Sequence, residues 1–406
     1  MGYDETGRTG PAEPSSGVPA AVLENVFDDP LHGEPGRDRI AVHVVWEIVL
    51  LAGLGAAAYL LWRADPAVLR GAGLKSLLVD VVALGLLVLA AGLSLRVAAV
   101  NLAIGPVAVA TGLHLAEQGD RGLREALLPA LVVAALGGLA LALAVVLLHV
   151  PAWAASLAGA AGVIVYIERR AAPVAVQGGY DPRRTAFYLF AGFAAVAVIG
   201  GLLGAVKAIR RLVGRFRAVA DPARRRGAVA AVVTALALVV STVLAMLAGV
   251  LIAANGDGPV APTTGLDWTV LAVGAALLAG TSAYGRRGGI FGTLLAASLV
   301  VVLLAWAHAR GWAPNRWAVG GAVLGAGLLV TRLVEAFGRP RTAAGDTETL
   351  PPADGTISAG WSLARPGRVE NWPPVLPVQA TESPVDPWES APRWEAGAQR
   401  WDADDR

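Results

Sequence analysis

Residues 77–95 read LLVDVVALGLLVLAAGLSL, and Asp80 is the one charged side chain in this run. A helix needs about 20 consecutive apolar residues to cross the hydrocarbon core of a bilayer. A surface helix of a soluble domain instead carries polar residues along one face. The run therefore predicts a membrane-spanning helix.

The composition of the whole chain extends this prediction. Hydrophobic residues make up 55% of the 406 residues and charged residues 16%, whereas soluble domains carry about 25% charge. The mean hydropathy is +0.59, and single hydrophobic cores stop growing near roughly 250–300 residues. Lipid must therefore solvate much of the chain. The net charge of +2 gives no indication of a nucleic-acid partner, and the absence of cysteine excludes disulfides and thiolate metal sites.

Further apolar runs predict an all-α, polytopic bundle of about ten transmembrane helices. The segments are 41–62, 77–95, 97–116, 126–149, 151–167, 186–206, 228–254, 267–283, 289–308 and 316–337. They form one transmembrane domain, 41–338, between two tails. Residues 1–40 are predicted to be disordered because they are polar and rich in Gly and Pro. Residues 339–406 are predicted to be a disordered, acidic cytoplasmic tail that contains five tryptophans.

The loop at 207–227 sets the predicted orientation. It carries eight basic residues and one acidic residue, Asp221. By the positive-inside rule this loop is cytoplasmic, which places both termini in the cytoplasm of a plasma-membrane protein. Arg286 and Arg287 fall on the same side and agree. Four other arginines fall on the outside and disagree: Arg169, Arg170, Arg183 and Arg184.

The same loop contains a candidate short helix. Asp221 suits the N-cap, Pro222 suits the first helical position and Gly227 suits the end. With Arg224, Arg225 and Arg226 it would form a rigid rod that passes an ATPase's movement to the membrane helices. The alternative is a basic loop held against anionic lipid headgroups.

Ionisable residues inside the spans are candidates for function. They are His43, Glu47, Asp80, Arg96, His114 and His308. Most lie near span ends, where an interfacial role is the simpler interpretation. Glu47 and Asp80 lie deeper, so we predict that they contact a polar solute or pair with Arg96. Three glycine pairs, by contrast, are interpreted as helix-packing contacts rather than pathway linings: Gly137-Gly138, Gly200-Gly201 and Gly320-Gly321.

Residues 278–297 read LAGTSAYGRRGGIFGTLLAA, which resembles a signature of ABC importer permeases. The family is the ribose, galactose and xylose type, related to branched-chain amino-acid permeases. The matching positions are Gly280, Thr281, Ser282, Gly288, Gly289, Gly292 and Thr293. Weaker matches follow the same order along the chain: 101–105 with Asn101 and Gly105, 150–158 with Pro151, and 214–228.

This resemblance implies a permease subunit of an ABC-type importer for a small polar solute such as a sugar. It implies a second permease subunit, homo- or heterodimeric, and an extracellular solute-binding protein. A cytoplasmic ATPase would supply the energy, because this chain lacks a Gly-x-x-x-x-Gly-Lys-Ser/Thr sequence. The chain itself is predicted to be no enzyme, with no cofactor, no metal site and no nucleic-acid partner.

Three departures from the family pattern leave an alternative open. Asn101 stands where the family has an acidic residue, Ala279 replaces a glycine, and Arg286 and Arg287 interrupt a glycine-rich stretch. A non-transporting, permease-like scaffold would tolerate these changes. It would recruit partners through the tryptophans of its C-terminal tail, since tryptophan is a frequent binding hot spot.

Overall fold

The computed structural model describes residues 40–206, 228–282 and 289–338, and these ranges contain ten α-helices and no β-strand. The helices are α1 Ile40–Ala64, α2 Gly71–Arg96, α3 Ile104–Gln118, α4 Leu123–Val146, α5 Ala152–Ile167, α6 Ala186–Ala205, α7 Ala228–Asn255, α8 Leu266–Leu278, α9 Gly292–Ala309 and α10 Arg316–Gly338. Three 3-10 helices cover Pro66–Leu69, Gly119–Arg121 and Pro182–Thr185. The all-α prediction is confirmed for this part of the chain. The predicted tails and the 207–227 loop lie outside it.

Six stretches are long and apolar enough to cross a membrane: Ala41–Ala64, Gly71–Arg96, Leu123–Val146, Pro182–Ala205, Ala231–Asn255 and Gly292–Ala309. Their outward faces carry large apolar side chains that the bundle leaves uncovered. On α4, for example, Val133 is 69% exposed and Leu136 is 59% exposed. Soluble monomers rarely expose apolar surface on this scale. The six stretches therefore indicate a multi-pass membrane protein whose outer faces contact lipid.

Helices α2 and α7 form the centre of the bundle. The most apolar window of α2 is 61% buried and that of α7 is 56% buried, against 17% for α1. Leu87, Val88 and Ala91 of α2 are almost fully buried, as are Leu238 and Ala245 of α7. Helices α3, α4, α6, α8 and α9 pack against one or both of these two, and α1, α5 and α10 pack on the outside of that layer.

The connections between helices lie at two ends of the bundle. The loop end is defined here by the stretches 65–70, 119–122, 168–185, 256–265 and 310–315. Contacts join these loops to one another and to nearby helix ends. Val174 and Val260 form an antiparallel backbone bridge, and Gln177 N–H donates to the Ala116 carbonyl. The opposite end carries 147–151 and 279–282, together with the end of α6 and the start of α7.

Small residues allow the helices to approach closely, as predicted. In each of the three glycine pairs, one glycine packs against another element and its neighbour faces open space. Gly138 packs against α7, Gly201 against the backbone of Ile290, and Gly320 against Leu271 of α8. Gly137, Gly200 and Gly321 have nothing nearby. Gly138 and Gly320 therefore pack against neighbouring helices, whereas Gly201 packs against the segment that precedes α9.

The segment predicted at 97–116 differs at its start. Helix α3 begins only at Ile104, and residues 97–103 are not helical. Pro106 thus lies in the first turn of α3, where backbone N–H groups have no partner within the helix, so it interrupts nothing. Non-helical backbone at membrane depth requires protein cover, and Val97, Ala99 and Asn101 are almost completely buried.

Several other helix boundaries differ from the predictions; the largest difference is at α2, which begins at Gly71, six residues before the predicted start. Pro151 precedes α5 at the N-cap rather than opening it at the first position. Helix α8 ends at Leu278, five residues before the predicted end at 283. Gly280 has φ of 89° and Thr281 N–H donates to the Ala276 carbonyl, a glycine-dependent helix ending.

Candidate functional site

A cavity of about 630 Å³ lies in the loop-end half of the bundle. Residues of α2, α8, α9 and α10 line it, together with the 256–265 and 310–315 loops. Its lining is Leu77, Asp80, Ala83, Leu84, Ile252, Gly256, Thr263, Thr264, Asp267, Trp268, Leu271, Val301, Leu304, Ala305, His308, Pro314, Asn315, Arg316, Trp317 and Val319. Pockets that hold small molecules are commonly about 300–1,000 Å³.

Helical periodicity explains how two helices line one cavity. Leu77, Asp80 and Leu84 are spaced by three, four and seven residues, so they share one face of α2. Val301, Leu304 and His308 have the same spacing on α9. Asp80 lies nine residues after the start of α2, about 14 Å along its axis at 1.5 Å per residue. The cavity therefore extends from the loop end well into the bundle.

Asp80 keeps accessible surface despite its position inside α2, because its carboxylate faces the cavity. One carboxylate oxygen accepts a hydrogen bond of 2.7 Å from the amide nitrogen of Asn255. The same amide group also donates to the Ser76 carbonyl at 3.0 Å. Arg183 donates to Asn255 Oδ1 at 2.9 Å and pairs with Asp257 at 3.1 Å. A chain of hydrogen bonds thus orients Asp80, although no cation of the described residues touches its carboxylate.

A second acidic residue of the cavity is neutralised. Asp267 lies in the first turn of α8 and forms a 2.9 Å salt bridge with Arg316, the first residue of α10. The Arg316 guanidinium also lies 4.3 Å from the centre of the Trp268 ring, a cation–π contact. The guanidinium of Arg316 is therefore held at the wall of the cavity by the Asp267 carboxylate and the Trp268 ring. Asp80, by contrast, is hydrogen-bonded to Asn255 and forms no salt bridge with a cation of the described residues.

The structure separates the two predicted pathway residues. Asp80 lines the cavity, whereas Glu47 lies on α1 and its Oε1 accepts from Phe291 N–H at 2.7 Å. A carboxylate at this place caps the N-terminus of α9, where the helix dipole favours negative charge. The predicted pairing with Arg96 is also absent, because Arg96 lies sixteen residues beyond Asp80 on α2, about 24 Å away.

Asn101 and Gly105 of the motif segment have structural contacts. Asn101 is fully buried; it donates to Ser241 Oγ at 3.1 Å and accepts from Ala103 N–H at 3.1 Å. Gly105 N–H donates to Thr269 Oγ1 at 3.0 Å. A side chain on Gly105 would collide with the Gly265 carbonyl. These residues therefore hold the non-helical segment 97–103 inside the bundle, and neither lines the cavity.

The remaining predicted site residues lie at the opposite end or outside the described ranges. Thr281 and Ser282 are buried beyond the end of α8. Gly289 packs against Glu47, Gly292 begins α9 against Ala279, and Thr293 follows it. The motif residue Gly288 and the proposed coupling residues are not described: Asp221, Pro222, Arg224, Arg225, Arg226 and Gly227.

The arginines that disagreed with the predicted orientation have partners at the loop end. Arg170 forms two hydrogen bonds to the Glu117 carboxylate, at 2.6 and 2.8 Å, and packs over the Tyr166 ring. These hydrogen bonds raise the pKa of Arg170 above its ordinary value. Arg184 pairs with Asp181 at 3.8 Å. Arg170 and Arg183 thus tie the 168–185 loop to the ends of α3 and α7, whereas the Arg184 pair lies within the loop.

No family model, curated protein or solved structure matches this chain. The resemblance to ABC importer permeases therefore depends on the quoted motif residues alone.

The sequence did not reveal Asn255, Asp267, Trp268 or Arg316 as site residues. Asp267 and Arg316 are each the first residue of a predicted span, and both spans start at the same end of the bundle. Their pairing could therefore have been predicted from the sequence. Asn255 lies just after a predicted span and 175 residues from Asp80. No local pattern signals a contact at that separation.

Proposed function

We propose that this chain is the membrane-spanning permease subunit of an ABC-type importer for a small polar solute. The observation that carries the proposal is the cavity that enters from the loop end and contains the carboxylate of Asp80. An ionisable group inside a membrane span is costly and commonly marks a solute pathway. Energy would come from a separate ATPase.

The arrangement of the two ends supports this direction of transport. The loop end, where the cavity enters, would face outward and receive the solute. Val206 and Ala228, which flank the arginine-rich segment 207–227 in the sequence, lie at the opposite end. That end would face the cytoplasm, in line with the eight basic residues of the loop. The ATPase would dock there, and a second permease subunit would complete the pathway.

The orientation is tested by single-cysteine labelling, which is clean because the natural chain contains no cysteine. We expect Arg121→Cys, exposed at the loop end, to react with a membrane-impermeant maleimide in intact cells. Arg217→Cys should react only after the cells are permeabilised. The opposite labelling pattern would reverse the orientation and remove the import proposal with it.

Coupling is tested by reversing charge in the 207–227 loop. The Arg224→Glu, Arg225→Glu and Arg226→Glu triple variant should lower the amount of ATPase subunit that co-purifies from native membranes by at least about tenfold, since three attractive contacts become repulsive. The control reverses three exposed loop-end arginines, Arg121, Arg124 and Arg169. Coupling through this loop would be refuted if the triple variant and the control variant recovered equal amounts of a nucleotide-binding subunit. It would also be refuted if neither variant recovered any.

Deleting residues 341–406 separates the permease from the scaffold alternative. A permease should keep its ATPase and its solute binding without this tail. A scaffold that recruits partners through the tail should lose those partners and show no solute-binding change.

A further inference from the structure

We propose that the cavity binds a small organic cation, whose ammonium group is held by Asp80 and whose apolar part contacts the surrounding side chains. The inference names a solute class for the permease proposed above. It rests on that proposal only for the claim that the bound solute is transported. Binding itself depends only on the cavity.

Charge balance is the first argument. Asp80, Asp267, His308 and Arg316 are the ionisable residues among those that line the cavity. Arg316 is committed to Asp267 at 2.9 Å and to the Trp268 ring. Asp80 accepts from one amide donor, Asn255, and forms no salt bridge with a cation of the described residues; Arg183 lies beyond Asn255 and is hydrogen-bonded to it. A carboxylate removed from bulk water gains most from a positively charged partner.

The hydrogen-bonding groups of the cavity give the second argument. His308 Nδ1 lies 2.8 Å from the Leu304 carbonyl, which can only accept, so this nitrogen carries the proton. In the neutral form of the ring, Nε2 would then be an acceptor. Asp80 offers its remaining carboxylate positions as acceptors. An ammonium group has several donors and no acceptor, which fits these groups better than a carboxylate or a phosphate does.

The apolar lining distinguishes an organic cation from a metal ion. A metal ion is held by several oxygen or nitrogen ligands at once, and the described residues contain no group of three or more His, Asp and Glu arranged to hold one. Leu77, Leu84, Ile252, Leu271 and Leu304 instead supply hydrocarbon contacts beside Asp80. The volume of about 630 Å³ also exceeds what an ion requires.

Tryptophan at the cavity entrance gives the third argument. The Trp268 ring already binds the guanidinium of Arg316 at 4.3 Å, so an aromatic face of this wall stabilises positive charge. Trp317 is 51% exposed and offers a second indole to an incoming solute. Aromatic faces of this kind bind alkylammonium groups and leave anions unbound.

The test measures binding to the full-length protein in lipid nanodiscs by calorimetric titration and thermal melting. Butylamine and choline are the cationic probes. Butanol and butyrate match butylamine in chain length but are neutral and anionic, and ribose represents a neutral sugar. We expect the two cations to bind and to raise the melting temperature, and the other three to have at least about tenfold weaker affinity.

Asp80→Asn should weaken cation binding by at least about tenfold, because the charge is lost while the shape is kept. The matched control is Asp120→Asn, an exposed carboxylate at the same end outside the cavity. If Asp80→Asn fails to fold, Trp317→Ala serves instead and should weaken choline binding by about three- to tenfold. Unchanged binding in the folded variant overturns the inference.

The outcomes separate this inference from the transport proposal. Cation binding without any co-purifying ATPase leaves the cavity assignment in place and removes the importer. Asp80-dependent binding of ribose, with no response to butylamine or choline, overturns the cation assignment and keeps a permease. Equal binding of butyrate and butylamine also overturns it, since charge would then play no part.

Discussion

Replacing Gly138 by leucine should destabilise the bundle severely, whereas the same change at Gly137 should be nearly neutral. Gly138 lies at a close contact between α4 and α7. A side-chain carbon there would lie 2.7 Å from Val239 Cα and 3.1 Å from the Leu238 carbonyl, and it would collide with the Thr242 hydroxyl. Two of these three neighbours are backbone atoms, which cannot rotate away.

The neighbouring buried residues of α4 make this contact part of a longer interface. Ala134, Gly138 and Ala142 follow one another at intervals of four and form the buried stripe of the helix. Such stripes of small residues let membrane helices approach closely. Leucine at position 138 would separate α4 from α7, at a cost of about 3 kcal/mol for an overpacked core. Gly137 faces open space, where leucine contacts lipid and favours the helix.

Thermal melting of the two purified variants, monitored by gel filtration, measures the difference. The Gly138→Leu protein should melt roughly 10 °C lower than the parent or fail to give a monodisperse peak. Gly137→Leu should melt within a few degrees of the parent. If the two variants behaved alike, the α4–α7 contact would be placed incorrectly.

Asn101→Leu should have the second large effect. The Asn101 side chain is fully buried and accepts from Ala103 N–H, directly before α3. Its amide donates to Ser241, halfway along α7, and Ser241 in turn donates to the Ala90 carbonyl of α2. Leucine has a similarly branched but larger side chain, and it leaves the Ala103 N–H buried without its acceptor. A buried unsatisfied donor costs about 1–3 kcal/mol.

The Asn101→Asp variant tests the hydrogen-bond directions within this network. Aspartate would keep the acceptor for Ala103 N–H, but its other oxygen would face Ser241 Oγ. The Ser241 proton is committed to Ala90, so one bond is lost and a charge is buried without a cation. We therefore expect destabilisation of at least about 2 kcal/mol, although the permease family that the motif resembles has an acidic residue there.

Melting temperatures of both Asn101 variants provide the measurement, with Gln177→Leu as the control for an exposed amide at the loop end. Stability equal to that of the parent would mean that the network around residues 97–103 contributes nothing. An Asn101→Asp protein as stable as the parent would mean that the serine hydroxyl reverses its hydrogen bond freely.

Helix positions were predictable from local sequence because lipid imposes a strict length on apolar runs. Each of the ten predicted segments contains one helix, and runs such as 186–206 and 228–254 match α6 and α7 within one residue at each end. The prediction failed at 97–103, where the residues are apolar but not helical. Hydropathy reports that a segment avoids water, and it does not report whether neighbouring helices satisfy its backbone.

The candidate site was only partly predictable for a related reason. Asp80 was identified because a charge within an apolar run is costly enough to attract notice on its own. Glu47 is also a charged residue within an apolar run, yet it caps α9 and does not line the cavity. A charge within an apolar run does not indicate which way its side chain points around the helix axis. Within each glycine pair, too, the sequence could not tell which member packs.

The sequence by itself therefore determined the solvent of this protein, the helical class of the described residues and the identity of one acidic residue within a span. Tertiary structure alone decided that Asp80 faces a cavity, that Asn255 orients it from 175 residues away, and that Arg316 neutralises Asp267. The physical reason is the separation along the chain over which each effect acts. Transfer from water to lipid is set residue by residue along the chain, whereas pairing and cavity formation depend on which helix faces meet.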